Sequence, residues 1–268
     1  MAMSNPAFRN GAFNSQGAVA VAQDVSAPQL DEIYNRPSAP VQGETMTVED
    51  TIAKTVGAFV VLLVGAAVGW LTAETLPFLW IGAAIVGFVL ALVNIFKKEP
   101  SAPLILAYAA AEGVFVGGIS SFFEALYPGV VVQAVIATLV VVGVTLALFA
   151  SGKIRASKKA TKVFLIAMVG YLVFSLVNVG IMIFGGAGGN PWGLRGSVEI
   201  LGIPLGVILG VFVVLLAAYS LVLDFDFIQK GVNNKAPRKY GWTGAFGIMV
   251  TVVWLYLELL RMFAIARD

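Results

Sequence analysis

The chain has 268 residues, of which 59% are apolar and only 12% are charged, and its net charge is +2. Because soluble globular domains are typically about 25% charged, this composition all but excludes a water-soluble protein and indicates a membrane domain. The chain has no Cys and no His, which excludes disulfides, thiolate or Ser–His catalysis and His-ligated metals. Any pH sensing therefore has to come from carboxylates.

The start of the chain is polar, unlike the rest. Residues 1–46 are rich in Asn, Ser, Gln, Pro and Gly and contain no long apolar run, which predicts a flexible cytoplasmic tail. They also lack the basic stretch and apolar core of a cleaved signal peptide. Thr47, followed by Asp50, has the pattern of a helix N-terminus, so residues 47–268 are predicted to form one transmembrane domain.

Seven apolar stretches follow, each long enough to cross a bilayer as a helix, which takes about 20 residues. Clusters of polar residues, Pro and Gly separate these stretches and predict loops. The predicted fold class is therefore all-α, a polytopic bundle of seven transmembrane helices. The predicted spans are approximately 52–72, 76–96, 103–123, 129–150, 163–184, 202–226 and 241–264.

The basic residues of the loops predict the orientation in the membrane. The loops after the second, fourth and sixth spans share the side of the N-terminal tail, and they carry eleven Lys and Arg residues. The loops and terminus of the opposite side carry Arg195 and Arg267. Since basic loops stay in the cytoplasm, the N-terminus is predicted inside and the C-terminus outside. The bias also supports an odd number of spans.

Glycines spaced four residues apart predict where helices pack closely, because they let two backbones approach each other in lipid. The row in the sixth span is the longest and predicts that this span is buried within the bundle. The rows are Gly65/Gly69 in the first span, Gly113/Gly117 in the third and Gly202/Gly206/Gly210 in the sixth.

Ionisable side chains within spans are rare and usually functional. Glu112 lies near the middle of the third span, which has no Lys or Arg, so we expect a neutral acid or a wet cavity there. Asp224 and Asp226 lie late in the sixth span and, being two residues apart, point about 200° apart on a helix. Glu258 and Arg261 are three residues apart in the seventh span, which is the spacing of an ion pair.

Three uncharged polar residues within spans complete this set. Thr251 lies two turns before Glu258 and shares its helix face. Asn94 and Asn178 are amides within the second and fifth spans, and we expect them to form hydrogen bonds between helices.

The chain resembles the Bax inhibitor / YccA-like membrane proteins over roughly residues 50–268, most of all a bacterial branch with a long N-terminal tail. The resemblance implies a multi-pass protein of the bacterial plasma membrane that leaks Ca²⁺ in a pH-dependent way. It also implies a carboxylate pair, one on each of the last two helices, as the pH sensor. Besides the seven spans, it rests on Ala111-Glu112-Gly113 with Gly117-Gly118-Ile119-Ser120, and most strongly on Leu223-Asp224-Phe225-Asp226-Phe227-Ile228 followed by Trp254-Leu-Tyr-Leu-Glu-Leu-Leu-Arg-Met-Phe263.

In this resemblance Asp224 matches the aspartate of the sixth helix, and it is the best candidate for a contact with Ca²⁺. The second sensor position matches Glu258 in one alignment and Thr251 in another. Depth favours Thr251, because Glu258 lies about 10 Å further from the cytoplasmic side at 1.5 Å per residue. With Thr251 in that position, either Asp226 or Glu112 would have to supply the second acid, or the sensor is absent.

Two functions are compatible with these residues. The first is a pH-sensitive cation leak channel, gated by protonation of intramembrane carboxylates, with Ca²⁺ or H⁺ as the permeant ion. The alternative is a non-conducting regulatory membrane protein that binds a protease, an insertase or a stress-response partner through its tail and basic loops. We expect no enzymatic activity, no cofactor beyond Ca²⁺ as a permeant ion, and no partner besides the lipid bilayer and such a membrane protein; nucleic acid is not expected.

Overall fold

A computed structural model describes residues 44–185 and 190–268, so nearly all of the predicted tail 1–46 lies outside the described residues. Within the described ranges seven helices are long and apolar enough to cross a membrane, which confirms the predicted all-α fold with seven spans. A short helix lies between the fifth and sixth of them. The helices are α1 Val48–Thr72, α2 Pro77–Phe96, α3 Ala102–Leu126, α4 Val130–Ala150, α5 Lys158–Ile183, α6 Leu194–Ser197, α7 Leu205–Asn233 and α8 Gly241–Ile265.

The chain between α5 and α7 contains regular structure where a loop was predicted. The short helix α6 is followed by a hairpin of two strands, β1 Glu199–Ile200 and β2 Ile203–Pro204. At the turn of this hairpin Gly202 has a φ of 76°, in the left-handed region that glycine adopts at little cost. Because Gly202 lies before α7, the predicted row of three glycines is wrong, and Gly206 and Gly210 are its helical members.

The other end of α7 extends beyond its prediction, which changes the setting of its two acids. The predicted span ended at residue 226, whereas α7 continues for about two more turns to Asn233. Asp226 pairs with Lys230 at 2.5 Å, and such a pair one turn apart favours a continuous helix. Asp224 and Asp226 therefore lie well inside the helix rather than at its end.

The seventh span, α8, is the central helix of the bundle. In the part of the chain that the structure describes, α8 contributes fourteen buried positions, α7 contributes ten, and α2 contributes Gly87. From α5 only Phe164 and Asn178 are buried in the same part of the chain. The exposed faces of α2 and α5 carry Val, Leu, Ile and Phe side chains, which suits helices that face lipid tails. The sixth span is thus well buried, as predicted, but less so than the seventh.

Glycines bring α1 and α3 into close contact. A Cβ at Gly65 would lie 2.6 Å from the carbonyl oxygen of Ala110. Cβ atoms at Gly69, Gly113 and Gly117 would overlap carbonyl oxygens of the facing helix even more severely. Larger side chains would push the two backbones apart. The predicted close packing at these two glycine rows is therefore confirmed.

Glycines also allow close packing of α7 against α8. A Cβ at Gly206 would lie 2.6 Å from the side chain of Ile265, and a Cβ at Gly210 would lie 2.6 Å from that of Met262. Side chains from α8 thus fill the space that these glycines leave open. The two helices that carry four of the five ionisable residues predicted within spans are therefore neighbours along the bundle.

At the opposite end of the bundle, the segment before α1 is hydrogen-bonded to the turn before α8. Thr47 begins α1 by accepting a hydrogen bond from the backbone N–H of Asp50 at 3.1 Å, as its position predicts. The backbone N–H of the buried Met46 donates to the carbonyl oxygen of Ala236 at 2.7 Å. Arg238 also pairs with Asp50 at 2.8 Å. These contacts fix the start of α1 beside the entry to α8.

Candidate functional site

Asp224 lies at the interface of α7 and α8, opposite Thr251. Asp224 is nine residues from the end of α7 and Thr251 is ten residues from the start of α8, so they lie about 14 Å and 15 Å from the same end of the bundle. Thr251 Oγ1 donates a hydrogen bond of 2.7 Å to Asp224 Oδ2, and Asp224 is only 9% exposed. The structure therefore places Thr251, rather than Glu258, opposite the aspartate of the sixth span.

The surroundings of Asp224 are polar but carry no positive charge. Ser220 Oγ lies 3.3 Å from Thr251 Oγ1, and a Cβ at Gly247 would lie 3.0 Å from Asp224 Oδ1. Gly247 thus lets the backbone of α8 approach the carboxylate closely. Among residues 44–185 and 190–268, no Lys or Arg forms an ion pair with Asp224. The neighbouring polar groups offer oxygen atoms, which are the ligands that Ca²⁺ prefers.

Asp226 does not share this site. It lies on a different face of α7 from Asp224, as the spacing predicts, and it is less buried. Its carboxylate pairs with the exposed Lys230 of the following turn at 2.5 Å. Asp226 therefore cannot act as the second acid of a pair with Asp224.

Glu112 lies at a third position, between α3 and α2. A Cβ at Gly87 would lie 2.9 Å from Glu112 Oε2, so Gly87 leaves the space that the carboxylate occupies. Glu112 is partly buried, and no hydrogen bond or ion pair to it occurs among the described residues. Because Glu112 faces α2, it does not complete a carboxylate pair with Asp224 at the interface of α7 and α8.

Glu258 is also buried, at 4% exposure, but positive charge surrounds it. Arg261 Nη1 donates to Glu258 Oε1 at 3.0 Å, which is the ion pair that the spacing predicts. Arg195 Nη1 lies 3.6 Å from the other carboxylate oxygen, and the hydroxyl of Tyr171 donates a short hydrogen bond to Oε1. Glu258 is therefore neutralised by two arginines and belongs to a structural cluster rather than to the Asp224 site.

The segment that leads into α6 places Arg195, the second residue of α6, inside the bundle. The side-chain amide of Asn178 donates to the carbonyl oxygen of Trp192 at 3.1 Å, and its oxygen accepts from the N–H of Leu194 at 2.7 Å. This anchored segment directs Arg195 inward, where Nη2 donates to Tyr171 at 2.9 Å and to Ser175 at 3.0 Å. Asn178 thus binds the backbone of a connecting segment rather than another membrane-spanning helix.

Sequence reasoning missed Arg195 because the residue was counted as a charge of the fifth loop, on the outer side of the membrane. In the structure Arg195 is buried, at 4% exposure. A usable signal was present in the fifth span, where Tyr171, Ser175 and Asn178 recur at intervals of four and three residues. Polar residues on one face of an otherwise apolar helix indicate a polar partner packed against that face.

The two buried carboxylates, Asp224 and Glu258, differ in what they can do chemically. Asp224 is buried without a compensating cation, so taking up or losing a proton there changes the charge of the bundle interior. At Glu258 the same change would leave two arginines without their carboxylate, which is costly. Of these two buried carboxylates, Asp224 is therefore the better suited to switch with pH.

The comparisons with known proteins agree with the fold. A family model described as Bax inhibitor 1 like matches residues 5–268, which is nearly the whole chain. A search of curated proteins gives no match. Since the family model covers far more than half of the sequence, the chain belongs to the Bax inhibitor 1 like family and is an integral, multi-pass membrane protein.

Proposed function

We propose that this member of the Bax inhibitor 1 like family is a pH-sensitive cation leak of the bacterial plasma membrane, with Ca²⁺ as the permeant ion. Protonation of Asp224 is the switch. The observation that carries the proposal is the buried carboxylate of Asp224, which accepts a hydrogen bond from Thr251 and has no described cationic partner. Intramembrane acids of this kind are costly to maintain and usually mark ion or proton pathways.

The switch works through the cost of burying a charge. Protonated Asp224 is neutral and fits the close interface of α7 and α8. Ionised Asp224 places an uncompensated negative charge in that interface, which favours entry of water or a cation and separation of the helices. The leak is therefore expected to rise as the pH rises through the range in which Asp224 loses its proton.

The charged groups on the helices around Asp224 leave its charge uncompensated. On α7 the nearest is Asp226, which Lys230 neutralises. On α1, Lys54 pairs with Asp50 at 2.5 Å, near the start of the helix. The segment of α4 contains no charged residue, and the lysines of α5 lie in its first five residues. This pattern differs from the two-acid sensor that the resemblance implies, because here one carboxylate faces a hydroxyl.

The distribution of basic residues predicts which compartment's pH controls protonation of Asp224. Asp224 lies about 14 Å from the end of α7, on the side where eleven basic residues lie in the connecting segments and helix ends. Basic loops favour the cytoplasmic side, so Asp224 is closer to the cytoplasm than to the exterior. The proposal thus includes sensing of cytoplasmic pH, with the N-terminus inside.

Ca²⁺ flux into proteoliposomes between about pH 5 and pH 8 tests the proposal. The wild type should leak Ca²⁺ in a pH-dependent way, and Asp224→Asn, which cannot lose a proton, should abolish that dependence. Asp226→Asn is the matched control, because it removes a carboxylate from the same helix two residues away. It should leave the pH profile unchanged.

Two outcomes would overturn the proposal. If Asp224→Asn keeps the pH dependence while Glu112→Gln removes it, the switch lies between α2 and α3 instead. If folded, inserted protein gives no flux above that of empty liposomes at any pH, the protein is not a leak. In that case the non-conducting regulatory function, with a protease, an insertase or a stress-response protein as partner, becomes the better hypothesis.

A further inference from the structure

A groove opens between α5 and α8 on the side of the bundle that faces lipid. It has a volume of about 480 Å³, which lies within the usual range for sites of small ligands. Leu165, Val169 and Leu172 line it from α5, and all three side chains are exposed. Trp254 lines it from α8. The groove is therefore open to the hydrocarbon of the membrane rather than to water.

The groove is apolar at one end and charged at the other. On α5 its lining runs from Leu165 to Ser175, a distance of about 15 Å along the helix axis. Ser175 and the buried Glu258 line the end that lies toward the C-terminus of α8. Arg261, at the same end, is four residues before the end of α8, which places it about 6 Å from that end. The charged end thus lies close to the membrane surface.

The charged end has an excess of positive charge. Two arginines, Arg195 and Arg261, contact the one carboxylate of Glu258. The side chain of Arg261 is 35% exposed, and its contacts to Glu258 and Tyr171 both use Nη1. Nε and Nη2 of Arg261 have no partner among the described residues. These N–H groups can donate hydrogen bonds to an anion at the mouth of the groove.

The geometry points to a binding site for an anionic phospholipid in this groove. One acyl chain lies along Leu165, Val169 and Leu172 against Trp254, and the phosphate of the headgroup binds Arg261. A lipid suits the groove better than a water-soluble ligand does, because the apolar lining faces the membrane and the positive charge lies at headgroup depth. The site is separate from Asp224, so it stands whether or not the protein conducts ions.

The loose packing of α5 explains why a lipid would matter to the protein. In the described part of the chain only Phe164 and Asn178 of α5 are buried, so α5 rests on α8 through few side chains. A lipid in the groove would fill the space between the two helices. Because a ligand that binds the folded state stabilises it, anionic lipid should raise the unfolding temperature.

The test uses the full-length protein in a neutral detergent, freed of bound lipid. Phosphatidylglycerol should raise the unfolding temperature more than phosphatidylcholine with the same acyl chains does. Arg261→Gln should weaken the affinity for phosphatidylglycerol about tenfold or more, because it removes a charge-assisted hydrogen bond. Arg267→Gln is the matched control, since Arg267 binds the carbonyl oxygens of Tyr127 and Pro128 at the same end of the bundle, outside the groove.

A second variant and a second readout locate the acyl chain. Val169→Trp fills the groove at an exposed position, so it should weaken binding of both lipids without disturbing the core. A phosphatidylglycerol with bromine on its acyl chain should quench tryptophan fluorescence, and Trp254→Phe should remove most of that quenching. Equal affinity for the two lipids, equal losses in both arginine variants, or wild-type binding by Val169→Trp would each overturn the proposal.

Discussion

Two buried carboxylates of this bundle, Asp224 and Glu258, lie in opposite electrostatic settings. Both are buried, at 9% and 4% exposure, and they lie on the two helices that contribute the largest numbers of buried residues in the described part of the chain. Asp224 accepts a hydrogen bond from one hydroxyl group and pairs with no described cation. Glu258 contacts two arginines and a tyrosine hydroxyl. Both carboxylates are thus buried, but that of Glu258 is neutralised by arginines and that of Asp224 is not.

The difference shows that burial of an acid does not by itself mark a functional group. Glu258 resembles an intramembrane sensor in the sequence, because it lies within a span and matches one alignment of the family motif. Its arginine partners make it part of the framework that holds α5, α6 and α8 together. Asp224 has no arginine or lysine partner among the described residues, so its charge can change with pH without breaking an ion pair there.

The largest effect expected from this comparison is on stability. Glu258→Gln should lower the free energy of unfolding by about 3–5 kcal/mol, because it leaves Arg195 buried without its carboxylate. Asp224→Asn should cost less than about 1 kcal/mol, since the amide oxygen can still accept a hydrogen bond from Thr251. Unfolding of both variants in the same detergent measures the two losses. Equal losses of unfolding free energy would contradict a structural role for Glu258 and a pH-sensing role for Asp224.

The next effect is on the pH profile of the leak. Thr251→Val removes the hydroxyl that stabilises ionised Asp224, so the rise of the Ca²⁺ leak should move to higher pH by about one unit. Thr251→Ser keeps a donor at the same place and serves as the control, with a profile close to that of the wild type. An unchanged profile in Thr251→Val would show that the contact of Thr251 with Asp224 does not tune the switch.

The smallest effect is expected at Asp226, which is less buried than either carboxylate of this comparison. Asp226 pairs with Lys230, whose side chain is mostly exposed, so the pair contributes little stability. Asp226→Asn should therefore change the free energy of unfolding by about 0.5 kcal/mol or less. Lys230→Gln should have a similarly small effect. A loss of several kcal/mol in either variant would show that this pair supports the inner end of α7 more than its exposure indicates.

Much of the fold could be predicted from residue patterns, because lipid imposes simple requirements on a chain. Seven apolar stretches separated by polar segments predict seven helices, since a membrane span has to satisfy its backbone groups internally. The glycine rows of α1 and α3 predict their close contact, which the structure contains. The bounds of α7 were less predictable, because its last turns are polar enough to resemble a loop.

The candidate site was predictable in part. Two antiparallel spans bring residues at equal depth together, so depth along the helices predicts that Thr251 faces Asp224. In the structure the side chains of these two residues form a hydrogen bond. The partner of Glu258 was not predictable in the same way. Arg195 lies 63 positions before Glu258 in the chain and in a segment assigned to an outer loop. Only the folding of that segment onto Asn178 brings its guanidinium to the carboxylate.

Residue composition and spacing thus established the membrane fold, the number of spans and the acids within them. These features depend on local requirements, namely hydrophobic length and residue spacing along one helix. The tertiary structure established which acid is neutralised and which is not, and which helix lies at the centre. Those features depend on contacts between residues distant in the chain, where a few ångströms separate a paired charge from an unpaired one. Asp224 and Glu258 look alike in the sequence because these distances are set by packing rather than by residue order.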